Sequence, residues 1–174
     1  MVKNILKLIL IVLIGFLGLA SVQPDEFTVS RSATYSVPAD KLFVKVNNLK
    51  EWNSWSPWAK IDPKATSSFE GPAEGVGAVM KWASDNSEVG TGSMTIIKSV
   101  PNQSVSFDLA FISPFEGEST TEFTFQPEND QTKVTWSMHG KKNFISKVMG
   151  LIFDCDKMVG GQFEKGLENL KNVI

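Results

Sequence analysis

The sequence predicts an α+β fold in which an antiparallel sheet is covered on one face by the C-terminal segment. Three observations lead to this prediction. Between residues 27 and 138, apolar and polar residues alternate in short runs separated by turn-forming residues. The last ~30 residues repeat apolar side chains at helical steps, and the first 22 contain a nearly continuous apolar run. We therefore predict residues 1–24 as an N-terminal transmembrane or signal segment and residues 25–174 as one domain.

The N-terminal segment has the composition of a membrane helix. No charge occurs from Leu8 to Val22, a length that approaches a bilayer span. Lys3 and Lys7 precede the run, which predicts a cytoplasmic N-terminus and a domain outside the cytoplasm. We expect either an uncleaved single-pass anchor in the cytoplasmic membrane or a signal cleaved after Ala20, which would release an exported soluble form.

The domain begins with a strand of period two over residues 27–35, and a short helix with Pro38 in its first turn follows. From Thr66 to Gly140 the pattern predicts about six antiparallel strands, such as the one carrying Phe107, Leu109 and Phe111. Each strand has one apolar and one polar face. The sheet is therefore expected to be solvated on one side and covered on the other.

Trp52, Trp55 and Trp58 lie three residues apart, and Pro57 marks the end of a helix there. One interpretation is a short helix or turn whose rings fill one end of the core. A second is that one or more rings line the mouth of an apolar pocket. A third is an exposed patch that binds another protein.

The C-terminal arm supplies the cover for the sheet. Its apolar positions are Phe144, Val148, Leu151, Cys155, Met158, Phe163, Leu167, Leu170 and Ile174. Four glycines, at 150, 160, 161 and 166, would each cost about 1 kcal/mol relative to Ala inside a helix. Either close packing on the sheet or room for a bound molecule beside the helix would explain them.

The order of these elements resembles the polyketide cyclase/dehydrase branch of the START-like (SRPBCC) superfamily. The segments that carry the resemblance are residues 35–43, 49–57 with Trp52 and Trp55, 77–82, 100–109, 133–136 and 161–171. The resemblance implies a helix-grip fold, in which a strongly curved sheet wraps around a long C-terminal helix with a cavity between them. Family members hold small hydrophobic molecules in that cavity, and a minority are enzymes.

A pocket in this position would be lined by apolar side chains. The ligand-binding residues that we predict are Trp55, Trp82, Met94, Phe107, Phe111, Phe123, Trp136 and Met158. The alternative is that these side chains only form the core, since a domain of this size needs a large one.

The sequence offers little for catalysis or for metal binding. Cys155 is the only cysteine and is predicted to be a buried packing residue, and His139 is the only histidine and is predicted to face solvent. We predict no catalytic residue, no metal and no cofactor. Tyr35 is the one plausible phenol if the protein is an enzyme. A net charge of −2 without a basic cluster argues against nucleic acid as a partner.

These observations lead to three functional hypotheses. The first is a membrane-tethered or exported carrier for a small hydrophobic molecule such as a lipid, quinone or polyketide. The second is a cyclase or dehydratase acting in the same cavity. The third is a protein-interaction module with a filled cavity. The sequence does not determine the oligomeric state.

Overall fold

The computed structural model describes residues 2–174, which form five α-helices and a sheet of seven strands. The helices are α1 (Val2–Ser21), α2 (Ala39–Asn47), α3 (Trp52–Trp55), α4 (Phe144–Gly150) and α5 (Cys155–Lys171). The strands are β1 (Glu26–Tyr35), β2 (Thr66–Glu70), β3 (Val79–Ala83), β4 (Thr91–Val100), β5 (Ser104–Ser113), β6 (Gly117–Glu128) and β7 (Gln131–Lys141). Short 3₁₀ turns at Leu49–Glu51 and Pro57–Lys60 flank α3.

The sheet has the order β1-β7-β6-β5-β4-β3-β2 and is antiparallel throughout. Each strand from β2 to β7 pairs with its neighbour in sequence, as consecutive hairpins should, and β1 closes onto β7. The β4–β5 pairing shifts register between Thr91 and Gly92 and again between Ile96 and Lys98. Such irregularities bend a strand and increase its twist, and they help the sheet to curve around α5.

The two faces of the sheet differ as the alternating pattern predicts. The concave face, which is turned towards α5, carries buried apolar side chains such as Phe123 and Val134. The convex face carries polar side chains, and His139 lies exposed on it as expected. The helix-grip fold is confirmed.

The C-terminal arm is broken into two helices. Asn143 caps α4 through a hydrogen bond from Ser146 N, and Asp154 caps α5 through one from Lys157 N. The four residues between the helices reset the helical phase, so a periodicity that runs through both helices does not mark one buried face. Phe163, Leu167 and Leu170 are buried as expected.

Four of the nine positions predicted to cover the sheet are exposed instead: Phe144, Cys155, Met158 and Ile174. Cys155 is the first residue of α5 and is exposed, so it is not a buried packing residue. Met158 lies one turn further along and is 62% exposed. Both belong to the outward face of the first turn of α5.

The N-terminal helix α1 is apolar and largely exposed, and it contacts the domain through α4. It is long enough to cross a bilayer, with a mean hydropathy of 2.3 over its most apolar window, and only 6% of that window is buried. A signal sequence has the same features. Asp25 follows α1 closely, and Lys142 N donates a 2.7 Å hydrogen bond to its carbonyl oxygen.

Candidate functional site

The concave face has two ends with different packing. The packed end contains an aromatic cluster with contributions from the sheet, α3 and α5. Its members are Trp52, Trp55, Phe107, Phe123, Trp136 and Phe163, all of which are buried. Trp136 stacks on Phe163 with ring centroids 4.1 Å apart and an interplanar angle of 10°. No comparable cluster occupies the other end within residues 2–174.

The three tryptophans after α2 fill the packed end, as the first interpretation of their spacing predicts. Trp52 and Trp55 project from the same face of the short α3, and their ring centroids are 4.6 Å apart. Their indole N–H groups donate to the carbonyl oxygens of Val46 and Lys45, at 2.9 and 3.1 Å. A buried indole needs such a partner. Trp52 and Trp55 are buried, and the half-buried Trp58 packs edge to face on Trp136 and Phe163, so the three rings do not form an exposed docking patch.

Two of the four helical glycines are explained by close approach to the sheet. A Cβ atom on Gly166 would lie 2.7 Å from the Cζ3 atom of Trp136. A Cβ atom on Gly160 would lie 2.2 Å from the guanidinium of Arg31. Gly150 and Gly161 have no such neighbour among the described residues, so close packing does not explain them.

The open end lies where β1 begins and β7 ends, next to the exit of α1. Its concave residues are the half-buried Phe27, Trp82, Leu109 and Phe111, together with Gly92, Gly117, Ser119 and Gly140. The rings of Trp82 and Phe111 meet edge to face, 6.0 Å apart. Partial burial means that these apolar side chains still have surface available for a ligand.

Glycine at position 92 leaves the space that the Trp82 ring occupies at this end. Gly92 is paired with Trp82 on one side and Phe111 on the other. A Cβ atom there would be 2.5 Å from the Cζ2 atom of Trp82. The indole N–H donates to the carbonyl oxygen of Val89 at 3.2 Å, which fixes the plane of the ring. The ring is therefore a preformed part of the open end.

Ser119 is the distinctive polar group of the open end. It is 8% exposed and lies on β6 between Leu109 and Gly140, on the same face as Phe123. Its hydroxyl oxygen is buried and has no hydrogen-bond partner anywhere in residues 2–174. Burying a hydroxyl without a partner is unfavourable. A ligand that supplies a partner would remove that cost.

Thr121, two residues along the same strand, shows the ordinary situation. Its hydroxyl donates to the carbonyl oxygen of Ser137 at 2.9 Å and is 3.3 Å from the indole nitrogen of Trp136. Both hydroxyls are buried on the same face of β6. Of the two hydroxyls, only that of Ser119, which is nearer the open end, lacks a hydrogen-bond partner among the described residues.

Arg31 holds the N-terminal half of α5 against β1. Its guanidinium binds the carboxylates of Asp156 and Glu164, at 2.8 and 2.7 Å, and the carbonyl oxygen of Asp156. Hydrogen bonds from Arg31, together with its positive charge, lower the pKa of Asp156. The guanidinium is thus fully engaged and fixes the helix that borders the open end.

Tyr35 lies at the opposite end of β1 from the open end. Its hydroxyl donates to the carbonyl oxygen of Leu167 at 2.7 Å, and burial raises its pKa above the usual value. A neutral, hydrogen-bonded phenol at this place has a structural role. Within residues 2–174, no three His, Cys, Asp or Glu side chains come together to hold a metal ion.

The predicted ligand-binding residues fall into three groups. Trp55, Met94, Phe107, Phe123 and Trp136 are buried, four of them in the aromatic cluster and Met94 beside Leu109. Trp82 and Phe111 are half-buried at the open end. Met158 lies on the outward face of α5. A ligand-binding role stays a prediction for all of them, and the geometry favours Trp82 and Phe111.

Sequence reasoning missed Ser119 and Leu109. The period-two pattern of β6 places Ser119 on the face of Phe123, so its inward direction could have been predicted. Its missing hydrogen-bond partner depends on the neighbouring strands and required the structure.

A shallow groove of about 310 Å³ lies beside the β2–β3 hairpin. Its side-chain lining includes Ser68, Lys81, Ser93 and Ile112, which alternate with the concave residues and so face away from α5. Trp82 and Gly92 of the open end also line this groove, so the groove adjoins the open end at β3 and β4.

A curved seven-stranded antiparallel sheet that grips a C-terminal helix defines a START-like protein. The sequence profile described as "Polyketide cyclase / dehydrase and lipid transport" matches residues 26–174, and the chain belongs to this family. The resemblance predicted from the sequence is confirmed.

Solved structures share the fold at low sequence identity. Protein CV1439 of Chromobacterium violaceum is 13% identical with a TM-score of 0.60, over 87% of this chain and 98% of that one. Protein MLL2253 of Mesorhizobium loti is 18% identical with a TM-score of 0.60, over 85% and 99%. Protein Ms6760 of Mycobacterium smegmatis is 15% identical with a TM-score of 0.58, over 84% and 89%. No curated protein sequence matches significantly.

Proposed function

We propose that this protein binds and carries a small hydrophobic molecule at the open end of the concave face. The observation that carries the proposal is a half-buried aromatic and aliphatic surface beside a buried hydroxyl, on Ser119, that lacks a hydrogen-bond partner within residues 2–174. Apolar walls with one or a few polar groups are typical of sites for lipid-soluble molecules.

The chemistry of the open end favours one class of ligand. Trp82, Leu109 and Phe111 offer apolar contact, and Ser119 can donate to or accept from one polar atom. We infer a flat or chain-like apolar molecule with a carbonyl or hydroxyl group, such as a quinone, a polyketide or a lipid. The family description, which includes lipid transport, agrees with this class.

We further propose that α1 is an uncleaved anchor in the cytoplasmic membrane, with the domain on the outer side. The open end lies at the edge of the sheet where β1 begins, directly after α1. A hydrophobic molecule leaving the bilayer would therefore meet the open end first. Tethering also raises the concentration of the domain near a cargo that partitions into lipid.

The enzyme hypothesis is supported less well. It needs an ionisable group in the site, and the phenol considered for it, Tyr35, is hydrogen-bonded at the far end of β1. Arg31 is held by two carboxylates. A carrier needs no such group.

The test is native mass spectrometry of the full chain, purified from its host membrane and released from detergent in the gas phase. We expect a retained small molecule, which solvent extraction then identifies. Gly117→Leu should abolish retention, because Gly117 pairs with Phe111 on the concave face of the sheet and the new side chain would lie beside that ring in the open end.

The matched control is Gly161→Leu, which places the same side chain in open space on the side of α5 away from the buried Phe163 and Leu167. It should retain the molecule. An empty wild-type protein, or equal retention by both variants, would rule out a carrier site at the open end.

A further inference from the structure

The segment of residues 144–153, comprising α4 and the turn after it, presents apolar side chains to the outside. Ile145 and Ile152 are 62% and 61% exposed, and Phe144 and Phe153 are each about half exposed. The sequence pattern predicts that Phe144 covers the sheet, which is wrong. Four large apolar side chains in ten residues form an exposed patch that marks an interaction surface.

The position of this segment indicates what covers it. The described residues of α1 with reduced exposure are Phe16, half-buried, and Ala20, fully buried, and they lie four residues apart on one face. Helix α4 packs against α1. Lys147 on α4 also forms an ion pair with Asp25, just beyond α1. The segment is therefore held beside the last two turns of α1.

The depth of those turns follows from helix geometry. The apolar run from Ile5 to Val22 spans about 27 Å at 1.5 Å per residue, close to the hydrocarbon thickness of about 30 Å. If α1 crosses the bilayer, its last two turns must lie within the hydrocarbon layer, because a shorter part of the apolar run would be too short to span that layer. A segment packed beside those turns then lies at the boundary between acyl chains and headgroups.

We propose that residues 144–153 form a second membrane contact, with their apolar side chains inserted into the outer leaflet beside α1. The partner is the lipid surface itself. This inference rests on the proposed membrane anchor. Apolar insertion at this depth is the ordinary behaviour of short interfacial segments.

A loop at the same end of the sheet extends this surface. Residues 114–116 join β5 to β6; Phe115 is exposed in this loop, and Ile112 is exposed at the end of β5. The register places the start of β6 beside the end of β7, which leads into α4. Two contacts and a transmembrane helix would fix the orientation of the domain, whereas α1 alone would leave it free to rotate.

The test uses the full chain with Cys155→Ser as background, reconstituted into phosphatidylcholine/phosphatidylglycerol vesicles. An environment-sensitive NBD fluorophore is attached to single cysteines at Ile145→Cys or Ile152→Cys, both already exposed and so tolerant of substitution. We expect a blue shift, quenching by doxyl-labelled lipid and loss of quenching by aqueous iodide.

Two reference positions separate the possible failures. A label at Ile97→Cys, exposed on β4, should remain accessible to iodide. A label at Leu13→Cys, in the middle of α1, reports the anchor independently. Lipid quenching at Leu13 with iodide quenching at Ile145 and Ile152 would overturn the second contact and leave the anchor intact. Iodide quenching at all positions would overturn the anchor as well.

Discussion

The two ends of the concave face are built from the same strands and bordered by the same helix, yet one is filled and the other is not. At the packed end the strands contribute Phe107, Phe123 and Trp136, and α3 adds two further indoles. At the open end the corresponding rows hold small residues such as Ser119 and Gly117, and a Cβ on Gly117 would meet no described atom within 4 Å. An apolar face alone therefore does not identify a site, because the size of its residues and the elements above them decide whether space remains.

The largest expected effect separates the two ends by stability. Trp136→Ala should lower the free energy of unfolding by about 3–5 kcal/mol, because it removes a buried ring that touches α3, α5 and β6. Phe111→Ala, at the open end, should cost less than half as much, since that ring is only half-buried. Urea unfolding of the full chain in detergent micelles measures both. Equal losses of unfolding free energy for the two variants would mean that the open end is packed as tightly as the packed end.

The next effect concerns the helical glycines. Gly166→Ala should lower the free energy of unfolding by about 1–3 kcal/mol, because the new methyl group would approach Trp136 too closely. Gly161→Ala should instead raise it by up to about 1 kcal/mol, since Ala favours the helix and the Cβ meets open space. The same urea measurement applies. A stabilising Gly166→Ala would show that α5 can move away from the sheet.

Much of the fold could be predicted from the sequence, because alternation in strands and turn residues between them are local signals. The first strand and about six more followed from such patterns, and the tryptophan plug was one of three interpretations of the tryptophan spacing. The exposure of Cys155 and Met158 could not be predicted in this way. The four-residue break between α4 and α5 changes the helical phase, but the apolar spacing in the sequence continues through it.

The candidate site could be predicted only in part. Trp82 and Phe111 were identified as inward-facing aromatic residues, but so were Phe107 and Trp136, and the sequence cannot tell a filled region from an open one. That difference depends on where α3 lies on the sheet. A missing hydrogen-bond partner at Ser119 is likewise a property of three adjacent strands and not of one segment.

A smaller effect compares two buried hydroxyls on β6. Ser119→Ala should leave the free energy of unfolding unchanged or raise it by up to about 1 kcal/mol, because it removes an unpaired buried hydroxyl. Thr121→Val should lower it by about 1–2 kcal/mol, because it leaves Trp136 and Ser137 with one partner fewer. Urea unfolding gives both values.

Ligand retention in native mass spectrometry should show a different order for these two variants. Ser119→Ala is expected to retain less of the small molecule than the wild type, whereas Thr121→Val should retain it in the fraction that is folded. A destabilised Ser119→Ala variant would mean that the hydroxyl has a partner within the protein, and the polar part of the proposed site would then be wrong.

The smallest expected effect is a pH dependence from the contact between Arg31 and Asp156, which holds α5 beside the open end. Because Arg31 lowers the pKa of Asp156, the folded state favours the carboxylate. Its contribution to stability is therefore complete above the ordinary carboxyl pKa of about 3.9 and is lost as the pH falls through the lowered value. Between neutral and acid pH, the thermal unfolding temperature should fall less steeply for Asp156→Asn than for the wild type. Glu168→Gln, which removes a carboxylate from the same helix and from its ion pair with Lys171, is the matched control. If the slope of unfolding temperature against pH is unchanged in Asp156→Asn, the ion pair with Arg31 is not needed to hold α5 beside the open end.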